Sequence, residues 1–158
     1  MKQLHNESPA AAVDLSAALE RMFELAVLLT DAMEGGLAER GFTRARAELL
    51  LRLHRQGPMT QRQLSEALRC SPRNVTGLVD ALERDGYVAR GPHPTDRRAT
   101  RVTLTGTGAE AAAGIHADSR RGASALLDGI PAADLAGFLA TADELVGRLR
   151  AGAAGQPS

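Results

Sequence analysis

Two short runs of polar side chains in this 158-residue chain have the types and spacing to do chemistry. Arg73, Asn74 and Thr76 follow Ser71-Pro72, and Asp96, Arg97 and Arg98 follow the proline-spaced run Gly91-Pro92-His93-Pro94. Guanidinium, amide and hydroxyl groups on the first turn of a helix can reach base edges and phosphates in a major groove. Arginines on a stiff projecting loop suit the negative potential of a minor groove. Arg98, with Arg97 second, is the candidate for that insertion, and Asp96 can brace it through a bidentate pair. Gln61 and Arg62, at the start of the preceding helical run, are set to touch phosphates. Ser71 at the reader turn and Arg90 at the base of the loop complete the candidate contacts. Each run also has a plainer reading, as a solvated helix face or as an exposed turn whose ion pair contributes little.

The elements that must position these groups can be read from the residues around them. Thr60 with Gln63 three positions on is a capping box, and the helix it opens keeps Leu64, Ala67 and Leu68 on one face. Ser71 as N-cap and Pro72 at the first helical position open a second helix. That helix is expected to bury Val75, Leu78, Val79 and Leu82, with Gly86 just past its end. Two short helices with a three- to four-residue turn between them make a helix-turn-helix. Tyr87 to Arg90 and Arg101 to Leu104 read as strands with alternating faces. The ten residues between them exceed what a hairpin needs, and loops of that length tend to carry function. This wing favours groove reading over a plain helical bundle.

Residues Asp96 to Thr105 match the D-x-R-x5-L-T wing signature of the MarR family of winged helix-turn-helix regulators, and Gly108 falls at the glycine of its L-T-x-x-G. Gln63 to Leu68 and Val75 to Glu83 resemble the family's two reader helices, and Asp85-Gly86-Tyr87-Val88 its entry to the wing. The resemblance covers Thr60 to Thr105 closely and the flanks in length and pattern. It implies a mainly α fold with a small β-wing: two helices, a very short strand around Pro58-Met59, the two reader helices, strand, wing, strand, and two more helices. It further implies a single domain in which residues 43–105 form the DNA-binding lobe, while residues 10–40 and 106–151 pair with a second copy as a helical dimerisation lobe. Two heads related by a two-fold axis would meet successive major grooves about one helical turn apart, on a palindromic operator. Many members are repressors released by small aromatic acids or phenols. Carried to this chain, that cleft would involve Phe23, Leu29, Met33, Phe42, Arg46, Leu50 and His116. Each of these is more often plain core, and no ligand site is assigned.

The flanks support that layout. Leu15, Leu19, Met22, Phe23, Ala26, Leu29 and Met33 recur at three- and four-residue steps in a long amphipathic helix, which Gly35-Gly36 interrupts, with Leu37-Ala38-Glu39 able to continue it for another turn. Thr43 can cap a helix to about His54, and Gly57-Pro58 stops it. Thr105 can cap another from Gly106 to Leu127, weakened by Gly106, Gly108 and Gly114. Pro131 opens a last helix with Leu135, Phe138, Leu139, Ala142, Leu145, Val146 and Leu149 on one stripe. The first and last helices carry more apolar surface than the head can cover, hence the expected homodimer.

Nineteen basic residues balance nineteen acidic ones, so no polybasic tail advertises nucleic-acid binding. Between Thr60 and Thr105, however, eight arginines face five carboxylates, and distribution rather than total sets the local field. Lys2 is the only lysine, which leaves phosphate contacts to arginine. A single cysteine excludes an internal disulfide and fits a reducing cytoplasm. No apolar run approaches the ~20 residues of a membrane span, and Met1 to Ala12 lacks the layout of a signal peptide.

Among the four histidines and the glycines there is no zinc spacing, nucleophile elbow or phosphate-binding loop, so no cofactor or metal is expected and the chain reads as a non-enzyme. Cys70 in the reader turn reads first as a small hydrophobe. The rival is a redox-responsive regulator switched through a thiolate favoured by Arg69 and the following helix N-terminus. A winged-helix protein-interaction module without DNA binding is the other alternative, and the wing arginines argue against it.

Overall fold

The computed structural model describes residues 14–92 and 100–154 and divides the chain into two compact units, one up to Ser119 and the other from Arg120 onward. The first unit begins with α1 (Leu15–Glu39), capped by Asp14, whose carboxylate accepts from the Ser16 amide at 2.9 Å. α1 is not interrupted at Gly35-Gly36 but continues through Leu37-Ala38-Glu39, the extra turn the sequence allowed. Two glycines cost a helix about 2 kcal/mol relative to alanine, and the good helix formers Ala32-Met33-Glu34 and Leu37-Ala38-Glu39 on either side carry it across. α2 (Arg44–Gln56) is capped by Thr43 and stops at Gly57, where φ is 77°.

The head then follows in close order. β1 (Met59–Thr60) leads into α3 (Gln61–Leu68), and the capping box is present in both directions: Thr60 Oγ1 accepts from Gln63 N at 3.2 Å, while Thr60 N donates to Gln63 Oε1 at 2.8 Å. α3 ends on Arg69, held in the left-handed region at φ 51°, and α4 (Pro72–Arg84) starts with Ser71 Oγ accepting from Asn74 N at 3.2 Å. Gly86, at φ 80°, turns the chain into β2 (Val88–Pro92), which pairs antiparallel with β3 (Thr100–Leu104). The sheet order is β1-β3-β2, with Met59 opposite Val102 and Arg90 opposite Val102 from the other side, so β2 is an edge strand. Its span lies slightly later than the Tyr87 to Arg90 read from alternation.

Leu49, Leu50, Leu53, Leu64, Val75, Val79, Leu82, Val88 and Val102 are buried, joined by Ala112 and Ile115 of α5 (Gly106–Leu127). Fully burying one such aliphatic side chain stabilises the fold by about 1.5–3 kcal/mol, and these side chains hold both reader helices to the sheet. Leu78, expected inside, is only half-buried. Thr105 caps α5: its hydroxyl accepts from Gly108 N at 3.0 Å and donates to the Gly86 carbonyl at 2.7 Å. Gly108 is buried, and a Cβ on it would stand 1.9 Å from the Tyr87 carbonyl oxygen.

A line of large apolar side chains on α1 is left uncovered, with Leu15, Phe23, Val27, Leu28 and Met33 each more than half exposed. In the second unit α6 (Ala132–Ala154) does the same with Phe138, Leu139 and Leu149. Among the described residues no single helix is long and apolar enough to cross a membrane.

Candidate nucleic-acid interface

The first turn of α4 carries the candidate reading face. Arg73, Asn74 and Thr76 are exposed, while Val75 and Val79 on the opposite side are fully buried, so the helix is pinned from behind and polar in front. Ser71, also exposed, is committed to the cap. Thr76 Oγ1 lies 2.9 Å from the Pro72 carbonyl and 3.1 Å from Gln61 Oε1, two acceptors that share its one proton. Gln61 is thereby tied across the turn from the first reader helix to the second. Arg62 projects into solvent with Glu66 one turn on at 3.0 Å, an exposed pair of small worth. These side chains form one patch on a rigid helical pair.

Asp96, Arg97 and Arg98 lie outside the described residues. Of the arginines at the base of the wing, Arg101 donates from Nη2 to the Pro58 carbonyl at 3.1 Å, bracing β3 against the start of β1. Arg90 is turned toward its own chain. Nη1 donates to Glu83 and Nη2 to Asp80, and its backbone N–H donates to Glu83 Oε1 at 3.0 Å. Burial alone would lower the Arg90 pKa, but the hydrogen bonds to the two carboxylates raise it above the usual arginine value.

A second ion pair, not foreseen in the sequence, sits behind the reader helix. Arg46 of α2 donates to Asp85, the C-cap of α4, and its guanidinium carbon lies 5.9 Å from the centre of the Phe42 ring. Phe42 in turn packs on Tyr87 at 5.0 Å between ring centres. The Arg46 hydrogen bond, with the charges of Arg46 and Arg84 adding to it, holds the Asp85 carboxyl below its ordinary range despite the opposing effect of burial. Of the residues that the family resemblance brings to a ligand cleft, Phe42 and Leu50 are core, Arg46 is held by Asp85, and Phe23, Leu29, Met33 and His116 are exposed. An open groove of about 500 Å3 instead runs beside the reader helix, lined by Ala45, Glu48, Leu68, Cys70, Arg73, Asn74, Gly77 and Leu78. Cys70 is a free, half-buried thiol in that wall, and its carbonyl accepts from Ser65 Oγ at 2.5 Å. Among the described residues no group of three or more His, Cys, Asp or Glu side chains is placed to hold a metal ion.

Comparison with known proteins agrees with this geometry. Residues 42–100, from the start of α2 to the start of β3, match the model of the MarR family. The chain is 30% identical over 92 residues to the HTH-type transcriptional repressor YetL of Bacillus subtilis, a match covering 55% of this chain and 53% of that one. It thus spans about half the length of that relative. A MarR family protein from Bacillus stearothermophilus superposes with a TM-score of 0.73 at 23% identity, over 85% of this chain and 95% of that one. MepR of S. aureus, crystallised as a complex with DNA, superposes at 0.68 and 19% identity, over 87% and 99% of the two chains. With the wing signature, the capped reader helices and the three-stranded sheet all in family order, residues 42–100 match the MarR family, and the chain is built on the winged helix-turn-helix fold.

Proposed function

We propose that the protein is a homodimeric, sequence-specific DNA-binding transcriptional regulator, acting as a repressor on a palindromic operator. The observation that carries this reading is the first turn of α4. Three exposed donor and acceptor side chains stand on a helix whose far side is buried and whose start is capped, and no interior role occupies Arg73 or Asn74. Arg73, Asn74 and Thr76 read or align on base edges, Gln61 and Arg62 meet phosphates, and Arg98 enters the minor groove with Asp96 orienting it. The uncovered apolar face of α1 supports association of two copies, because an exposed apolar strip of that length marks a protein contact. Residues 43–105 then serve as the DNA-binding lobe, and residues 10–40 and 106–151 as the dimerisation lobe. Release by a small ligand is part of the proposal and rests on the family resemblance.

Selecting bound fragments from the source genome, followed by fluorescence anisotropy on the recovered duplex, tests the reading. Affinity should fall steeply with salt, since arginine contacts release counterions. Arg98→Ala should weaken binding by about 1–3 kcal/mol with folding retained. No selected fragment, or a flat salt dependence, refutes DNA reading, and wild-type affinity in Arg98→Ala removes the wing from it. Transcription from the recovered operator with and without the protein decides between repression and activation.

A further inference from the structure

We propose that Arg90 is a positioning residue: it ties the wing to the reader helix through Asp80 and Glu83 and makes no contact of its own with DNA. The inference rests on the DNA-binding reading above, but its observations are internal to the head. β2 is an edge strand of the sheet. Successive residues of a strand point their backbone groups to opposite sides, and Arg90 points its N–H away from β3, where Glu83 Oε1 receives it at 3.0 Å. Pro92, two residues on, has no N–H to offer in the same direction, as an edge strand permits. The Arg90 side chain then doubles the tie, forking to Glu83 with Nη1 and to Asp80 with Nη2, and is only 25% exposed. Asp80 and Glu83 are three residues apart on α4 and therefore on one face of it. A planar, forked cation is the side chain that can serve two carboxylates at once. With both ends of the fork engaged, Arg90 has little left for a phosphate. Its contribution is instead the angle at which the wing leaves the helix that reads the bases.

The two readings of Arg90 predict opposite signs for the same change. If Arg90 were a phosphate contact, removing the carboxylates that compete for it, two negative charges beside DNA, would tighten binding. If Arg90 is a tie, Asp80→Asn/Glu83→Gln loosens the wing and weakens binding. We expect the acid-neutralised variant and Arg90→Ala each to lose roughly tenfold in affinity for the selected duplex, and the combined triple variant to lose little more than either. The salt slope of Arg90→Ala should match wild type, whereas Arg62→Ala should lose about 0.9 per phosphate contact removed. Arg90→Lys, which keeps the charge but not the fork, should fall with Arg90→Ala. Equal or tighter binding by the acid-neutralised variant, a reduced salt slope in Arg90→Ala, or wild-type affinity in Arg90→Lys overturns the proposal. Amide hydrogen exchange on the free protein supplies an arm without DNA: Val88–Gly91 should exchange faster in Arg90→Ala and in Glu83→Gln while Leu64, Val75 and Val79 keep their protection. Unchanged exchange in the strand sinks the tie. Failure of the wild type to bind any fragment sinks the DNA-binding reading, and the exchange arm still decides the tie.

Discussion

Gly108→Ala is the substitution whose effect the structure fixes most tightly. Glycine at the third position of a helix is ordinarily a small liability, and alanine there should gain about 1 kcal/mol of helix propensity. At Gly108 the new Cβ would lie 1.9 Å from the Tyr87 carbonyl oxygen, 2.9 Å from its carbon and 3.3 Å from Leu104 Cδ2. The first two atoms are backbone and cannot swing aside. The Tyr87 oxygen is also held, accepting from Thr105 N at 3.0 Å, while Thr105 Oγ1 caps α5 through Gly108 N itself. Moving α5 by the ångström or more that relief demands would break the cap, worth about 1 kcal/mol, and the Thr105–Tyr87 hydrogen bond, worth about 1 kcal/mol more. Overpacking of about 1–3 kcal/mol comes on top, so after the propensity gain the net loss should be about 2–4 kcal/mol. Urea unfolding followed by circular dichroism at one fixed protein concentration measures it, with two controls on the same helix. At Gly114 an added Cβ meets only the far end of the Arg40 side chain, whose ion pair with Asp118 is exposed, so Gly114→Ala should be within about 1 kcal/mol of wild type. At Gly122 nothing lies within 4 Å, and Gly122→Ala should stabilise. Gly108→Ala as stable as these two would refute the close-approach reasoning.

Two further perturbations probe the head and the uncovered helix. Asp85 has its carboxyl pKa lowered in the folded chain, so the unfolded chain binds the extra proton as pH falls. Its stabilisation is complete above the ordinary carboxylate value near ~4 and is lost as pH drops through the depressed folded value. Asp85→Asn should therefore flatten the acid limb of stability against pH, and superimposable acid limbs would show that the Arg46 pair does not carry this dependence. On α1, Phe23 and Leu28 are 65% and 60% exposed, so Phe23→Glu/Leu28→Glu should leave the subunit folded. If that face joins two copies, four side chains at about 1.5–3 kcal/mol each are lost, and sedimentation equilibrium should show association weakened by roughly four orders of magnitude or more. A single species of unchanged mass would take α1 out of the contact.

Local chemistry made the head legible. Thr43, Thr60, Ser71 and Thr105 each cap the helix their position suggested, and Gly86 takes the positive φ expected just past α4. Caps and turns depend on neighbours within four residues, which a sequence displays directly. Long-range pairing was less readable. Arg46 with Asp85 joins residues thirty-nine apart, and nothing in either neighbourhood announces the partner. Arg90 could have been matched to Asp80 and Glu83, because two acids three apart on a helix followed by one tight turn face the next strand. Counting it as a free cation missed that. Gly108 shows the reverse case: the family pattern marks the position, while propensity alone reads it as a weakness. Leu78 keeps the helical period of its buried neighbours but faces the groove beside Cys70, since periodicity gives a face and not how far the core extends.

The covered flank of β2 has a consequence for how copies of this molecule meet. An open strand with a row of free amides invites another chain to zip onto it, and a wing that self-associates would foul whatever it approaches. With one outward amide taken by Glu83 and the next replaced by the ring of Pro92, β2 is a poor template of that kind. In the proposed dimer, contact between copies then falls to the oily ridges of the flanking helices and not to this strand.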